Sequence, residues 1–135
     1  MIRTVALLLL MSGPAHAGPM VTTALCQDGE TCTSATGESI RIACIDVPEM
    51  QAQPRLRPTS MQADALPNDR AIRAVDYLSQ YVVGKQVFIQ RMAIDRNGRT
   101  VAELYVDDIN VGHDLVRRGH ADIDRNHAGS CAWTR

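Results

Sequence analysis

The stretch "RIACIDVPEM", residues 41–50, decides the fold. Ile42, Ala43, Cys44 and Ile45 read as a short buried strand with β-branched residues. Arg41 stands at its head, and Asp46 and Glu49 follow its end on either side of Val47-Pro48. A run that only filled a core would not carry three charges placed this way. A charged group at a buried strand costs free energy unless it is partnered. Pro48 stops the ladder from continuing. The strand therefore reads as a device that delivers charges to one place.

Working outward, residues 20–26 form a first strand, Asp28-Gly29 carries the signature of a tight turn, and Thr31–Thr36 forms a second strand. Gly37-Glu38 is a second turn, and the third strand runs over Ser39–Asp46. Three short strands joined by tight turns make a meander. Residues 50–67 hold Pro54, Pro58 and Pro67 with Arg55 and Arg57, and read as a long surface loop or a basic flap beside a polyanion. A helix follows, capped by Asn68 or Asp69, with Ile72, Val75, Leu78 and Val82 on its apolar face and Gly84 at its end. Val87-Phe88-Ile89 starts another strand, Asp95–Arg99 is a turn with Asn97-Gly98 at its tip, and Thr100–Val106 returns. After an Asp107-Asp108 turn, a short helix puts Leu115 and Val116 toward the core and stops at Gly119. Three strands, a helix, two strands and a helix suit a mainly β protein: a five-stranded OB-fold barrel plugged by a helix.

The 135 residues suffice for one domain. Residues 1–17 read as a signal peptide: a basic start at Arg3, an apolar run from Val5 to Met11, and the Ala15-His16-Ala17 cleavage pattern. That run is too short to span a bilayer, so the expectation is an exported chain, periplasmic or secreted, with its domain over residues 18–135 and no membrane partner. The segment contains one of the 14 basic residues, Arg3, and none of the 15 acidic ones, so its removal takes the net charge from −1 to −2. Such a balance excludes a bulk-basic coat for nucleic acid, and any phosphate must meet a local cluster. Lys85 is the only lysine, and arginine suits bidentate phosphate contacts.

Four cysteines, at 26, 32, 44 and 131, favour disulfides in an oxidising compartment. Three pairings are open. The Asp28-Gly29 turn favours Cys26–Cys32, which leaves Cys44–Cys131 by elimination. Zinc on His120, His127 and Cys131 is the alternative, at a spacing that matches no strong zinc pattern.

Glu30, Asp46 and the Val47 carbonyl are hard oxygen donors suited to calcium or magnesium. Glu49 can orient or deprotonate water, and Arg41 and Arg99 can grip a phosphate and stabilise charge on its oxygens. Together they make the parts for metal-assisted phosphodiester hydrolysis. Taken singly, each carboxylate in a turn also reads as a solvated turn former.

Three segments carry a resemblance: "DGET" at 28–31, "RIACIDVPE" at 41–49, and "DRNGRTVAELYVDDINVGHDLVRRGHA" at 95–121. In order and spacing they resemble the staphylococcal nuclease (thermonuclease) family over roughly residues 25–123. The resemblance implies an endonuclease cutting DNA or RNA, single strands preferred, with Ca2+ as cofactor and the chain a monomer. It implies that Arg41 contacts the scissile phosphate and Glu49 is the general base. Arg99 would stabilise the transition state, Asp46 and Val47 would bind calcium, and Asp95 would be structural. A non-enzymatic OB-fold module that binds nucleic acid or a protein partner is the competing expectation.

The chain departs from that pattern at three places. Glu30 stands where the family has aspartate, and one methylene moves the carboxylate by roughly 1 Å or more, which is expected to weaken calcium binding. Asn97, Arg125 and His127 stand where the family's cleft carries tyrosines, removing base stacking worth roughly 1–3 kcal/mol per base. The region after Gly119 is shortened, and a Cys44–Cys131 disulfide is expected to pin it.

Overall fold

The strand that carries Arg41 is the one that closes the barrel. The computed structural model describes residues 19–49 and 67–135. The signal-peptide segment and most of the Pro-rich loop lie outside those residues, so neither expectation is tested. The chain runs β1 (Met20–Cys26), β2 (Thr31–Ser34), β3 (Ser39–Ile42), β4 (Ile45–Asp46), α1 (Pro67–Tyr81), β5 (Gln86–Ile94), β6 (Thr100–Val106), β7 (Ile109–Asn110), α2 (Val111–Arg117) and β8 (Asp122–Ile123). A short 3-10 turn, Ala132–Thr134, follows.

The main sheet has the order β3-β2-β1-β5-β6-β7. Every neighbouring pair in it is antiparallel. A parallel pairing of β3 with β6 joins its two sides, with Ile40 opposite Thr100 and Ile42 opposite Ala102. The result is a closed five-stranded mixed barrel with two helices, the OB-type architecture expected from the order of elements. On β3 the period of two sends Ile40 and Ile42 inward and leaves Ser39 and Arg41 half-exposed. Ile40, Ile42, Ile45, Ile89, Leu104 and Leu115 lie among the largest fully buried side chains of the core.

The third strand does not run unbroken to Asp46. It ends at Ile42, because Cys44 takes a left-handed backbone conformation at φ 66°. A β-branched or bulky residue resists that conformation, and here the Cys44–Cys131 disulfide fixes the turn from outside. The chain then restarts as β4, which pairs with β8 rather than with the barrel, Ile45 opposite Ile123 and Asp46 opposite Asp122. α2 sits on this break. A Cβ on Gly112 would come within 3.3 Å of the Ala43 carbonyl, so the helix start lies close against the break.

The face of α1 is also rotated from the one expected. Ala71, Ala74, Tyr77 and Leu78 are buried, whereas Ile72 is 46% exposed and Val75 only half-buried. Val82 is buried, but beyond the helix end. Small residues allow the helix to lie close against the β1–β2 turn: a Cβ on Gly29 would fall 2.6 Å from Ala74 Cβ and 2.7 Å from Val47 Cγ1. Helix α1 begins at Pro67, so Asn68 and Asp69 occupy its first turn instead of preceding it.

Both disulfides form as the turn signature and elimination favoured, Cys26–Cys32 across the first hairpin and Cys44–Cys131 over 87 residues. After α2 the chain makes β8 and the 3-10 turn. Trp133 is tied there by its Nε1–H, which donates to Glu103 Oε1 at 3.1 Å, and its ring stacks on His113 at 5.0 Å.

Candidate nucleic-acid cleft

Arg41 stands inside β3 with its side chain only 17% exposed, so its charge must be met by the protein. Its Nε lies 3.8 Å from Glu30 Oε1, its Nη2 lies 3.9 Å from Asp124 Oδ2, and the same nitrogen donates to the Ile45 carbonyl at 3.4 Å. All three contacts are long, so the guanidinium is ringed by acceptors without being closely bound by any of them.

Arg99 is placed by its turn. Asp95 Oδ1 accepts the backbone N–H groups of Asn97 and Arg99 at 2.9 and 3.0 Å, and Oδ2 accepts Arg99 Nε–H at 2.7 Å. Partial burial acts to raise the Asp95 carboxyl, but these donors outweigh it and hold the group below its ordinary range. Asp95 thus shapes the turn and aims Arg99, whose Nη1 reaches Thr31 Oγ1 at 3.4 Å.

Arg41 and Arg99 line one cleft of about 610 Å³. Its far wall is the outer half of β5, where Met92, Ala93 and Ile94 face solvent, and its floor includes Cys44 and Val101. Arg96 and His127 complete the polar rim. The cleft therefore joins guanidinium groups to an apolar wall, a combination suited to a chain of phosphates carrying flat bases.

The carboxylates form a second group beside this cleft. Glu30 Oε2 accepts the Val47 N–H at 3.1 Å. Burial pushes the Glu30 carboxyl above its ordinary value, against the pull of the Val47 amide and Arg41, and the nearby Asp28 and Asp46 charges push it further. Asp46 is exposed on β4, and Val47 is buried immediately after it. Glu49 is exposed past Pro48 and does not line the cleft. Thus the structure brings Arg41 and Arg99 to one cleft, sets Glu30, bound to the Val47 amide, near Arg41, and leaves Glu49 out of the cleft lining.

Zinc on His120, His127 and Cys131 is excluded as read from the sequence, because the Cys131 sulfur is bonded to Cys44. Among the described residues no three His, Cys, Asp or Glu side chains gather to hold a metal ion. The two carboxylates and one carbonyl at Glu30, Asp46 and Val47 fall below that count, yet their chemistry fits calcium. Carboxylate and carbonyl oxygens are the donors that a hard dication takes.

Asp124 escaped notice in the sequence. It is 11% exposed on its side chain and contacts both Arg41 and His127, whose Nδ1 lies 2.8 Å from its Oδ2. The only local signal was Asp124-Arg125-Asn126, an Asx-turn pattern realised by the Asn126 N–H on Asp124 Oδ1 at 2.9 Å. Burial acts to raise this carboxyl too, and His127, the Asn126 amide and Arg41 outweigh it and lower it.

The small closed β-barrel is an OB-type domain, with Arg41, Arg96 and Arg99 lining a cleft at its side. Within that class the sequence profile of the staphylococcal nuclease homologue family matches residues 39–131, more than half of the chain, and the chain belongs to this family. The matched range contains Arg41, Asp46, Val47, Glu49 and Arg99 but starts after Glu30. No curated protein matches the chain. Two disulfides suit an oxidising compartment, and among the described residues no helix is long and apolar enough to cross a membrane.

Proposed function

We propose that the chain is an exported, calcium-dependent nuclease that hydrolyses phosphodiester bonds of DNA or RNA, acts on single strands in preference, and works as a monomer. The observation that carries this is the convergence of Arg41 and Arg99, from β3 and from the β5–β6 turn, on one cleft beside the Glu30–Val47 pair. Family membership supports the same chemistry.

A phosphodiester entering the cleft meets the guanidinium groups of Arg41 and Arg99, with Arg96 on the rim. Arg41 binds the oxygens of the scissile phosphate, and its loose contacts with Glu30 and Asp124 leave N–H donors for the substrate. Arg99, aimed by Asp95, meets the charge that grows on the equatorial and leaving oxygens. Glu49 accepts a proton from the attacking water. Glu30, Asp46 and the Val47 carbonyl would hold calcium, which when bound supplies charge neutralisation next to the phosphate. The chain's own residues set the rest: β3 fixes Arg41, and the β4 restart fixes Asp46 and Val47 relative to it.

Digestion of heat-denatured DNA by the purified mature chain tests the reading. We expect cutting with calcium, none with chelator, and a loss of at least about a hundredfold in Glu49→Gln, the scale of a missing general base. A folded wild type that does not cut would instead favour a second reading, a binding module, for which one observation speaks: Glu49 lies outside the cleft lining.

A further inference from the structure

His127 lies in the cleft on a turn that is pinned from several sides. The Asp124 N–H donates to the Cys44 carbonyl at 3.0 Å, the His127 N–H donates to the Asp124 carbonyl at 3.1 Å, and the Ser130 N–H donates to the His127 carbonyl at 2.9 Å. The Cys44 sulfur sits 3.6 Å from that carbonyl. Bonded to Cys131, it carries no hydrogen, so this is packing rather than a hydrogen bond. The turn is thereby fixed against the strand break beside Arg41.

The imidazole itself is 65% exposed on the cleft rim, while its partner Asp124 is nearly buried. An ionised carboxylate only accepts hydrogen bonds, so Nδ1 must carry the proton in the 2.8 Å contact. This orients the ring and leaves Nε2 for a ligand in the cleft. When Nε2 is also protonated, the ring is a cation with a donor aimed away from Asp124. When it is not, Nε2 is an acceptor and repels a phosphate oxygen. The other charged groups facing this position are Arg41 from β3 and Asp95, Arg96 and Arg99 from the β5–β6 turn. Arginines and ordinary carboxylates as classes keep their charge between pH 5 and 8, imidazole does not, and Glu30, raised by burial, lies against Arg41 outside the cleft lining.

We infer that His127, held by Asp124, is a conditional cation added to the arginines of the cleft that binds a phosphate of the same strand, so that grip on single-stranded nucleic acid falls as imidazole loses its proton. The inference rests on the nuclease reading and adds to it a substrate-binding residue and a pH dependence. It gives Asp124 a positioning role that its burial and its two partners explain.

The test is binding of a short fluorescent single-stranded oligonucleotide to the mature chain in chelator, where no cutting occurs, followed from pH 5 to 8. Wild type should lose affinity by about tenfold or more across this range, the scale of a charge-assisted hydrogen bond. His127→Gln keeps a donor without a titrating charge and should bind weakly and flatly. His127→Lys should bind tightly and flatly. Asp124→Asn should weaken binding at pH 5, because the ring loses the carboxylate that orients it. A flat wild-type profile, or an unchanged step in His127→Gln, overturns the inference. Calcium-dependent cutting measured alongside separates the two readings. Cutting with a flat profile sinks this inference alone, and neither cutting nor binding sinks both.

Discussion

At Gly29 a single missing carbon holds three parts of the molecule together. The β1–β2 turn lies so close to α1 that a methyl group would strike both Ala74 and Val47. Gly29→Ala should therefore destabilise the fold by about 1–3 kcal/mol, the range for overpacking, measured by urea denaturation. Because Val47 is one of the two contacts, the same variant should also bind calcium more weakly. Its neighbour Glu30 spends one oxygen on the Val47 amide and sets the other near Arg41. Aspartate, one methylene shorter, withdraws from both partners and leaves its oxygens to a metal. We expect Glu30→Asp to raise calcium affinity several-fold in calorimetry. Unchanged affinity would remove Glu30 from the metal site.

Among the elements, β3 and β4 show how a covalent tie reshapes a strand. The Cys44–Cys131 bridge closes a loop of 87 residues and the Cys26–Cys32 bridge one of 6. In the chain-entropy account the longer loop contributes about 4–5 kcal/mol and the shorter about 2. Replacing the Cys44–Cys131 pair by serine should cost more stability than replacing the other pair, and should lower oligonucleotide affinity by releasing the Asp124–His127 turn. Equal costs in thermal melts would contradict this. The sequence made most elements legible, because Asp28-Gly29, Asn97-Gly98 and Asp107-Asp108 punctuate the strands. Asp107 and Asp108 both take left-handed conformations, as a tight hairpin turn demands. What stayed hidden is what tertiary contact decides. No local rule says that Ile42 ends a strand whose apolar run continues to Ile45. Nor does one say that α1 buries Ala71 and Ala74 in preference to Ile72, since close approach favoured small residues over large ones. In the cleft, Arg41 and Arg99 were legible as charges at the ends of elements. Asp124 was not, because its partners are 83 and 3 residues away in the chain.

For the whole molecule, charge and pH matter most. Glu38, Asp95, Asp114, Asp122 and Asp124 all have carboxyl groups held below their ordinary values. The dominant lowering partner is an arginine for Glu38, Asp95 and Asp122, whereas Tyr77 with Arg118 acts on Asp114, and His127 on Asp124. A carboxyl lowered on folding contributes stability above its unfolded value, near 4, and loses it as pH falls through the folded one. Glu30, raised by burial, runs the opposite way and offsets a little of this. The net expectation is a decline in stability as pH falls below about 4. Asp114 is the best probe, because it joins the two helices: Tyr77 O–H of α1 donates to its Oδ2 at 2.7 Å and Arg118 Nε at 2.9 Å. Asp114→Asn should be less stable than wild type at pH 7, and the gap should narrow as pH falls below about 4, in chemical denaturation across that range. A constant difference would show that Asp114 acts through packing alone.

The bridge from Cys44 to Cys131 also has a meaning for the cell that makes the chain. Its Cys44 end lines the cleft, and the bridge secures the turn on the rim. In a reducing cytoplasm those thiols stay apart. On the reading that residues 1–17 direct export, the cutting surface is finished only after the chain has left its maker's own chromosomes and transcripts behind. On that reading, oxidation would serve as the safety catch.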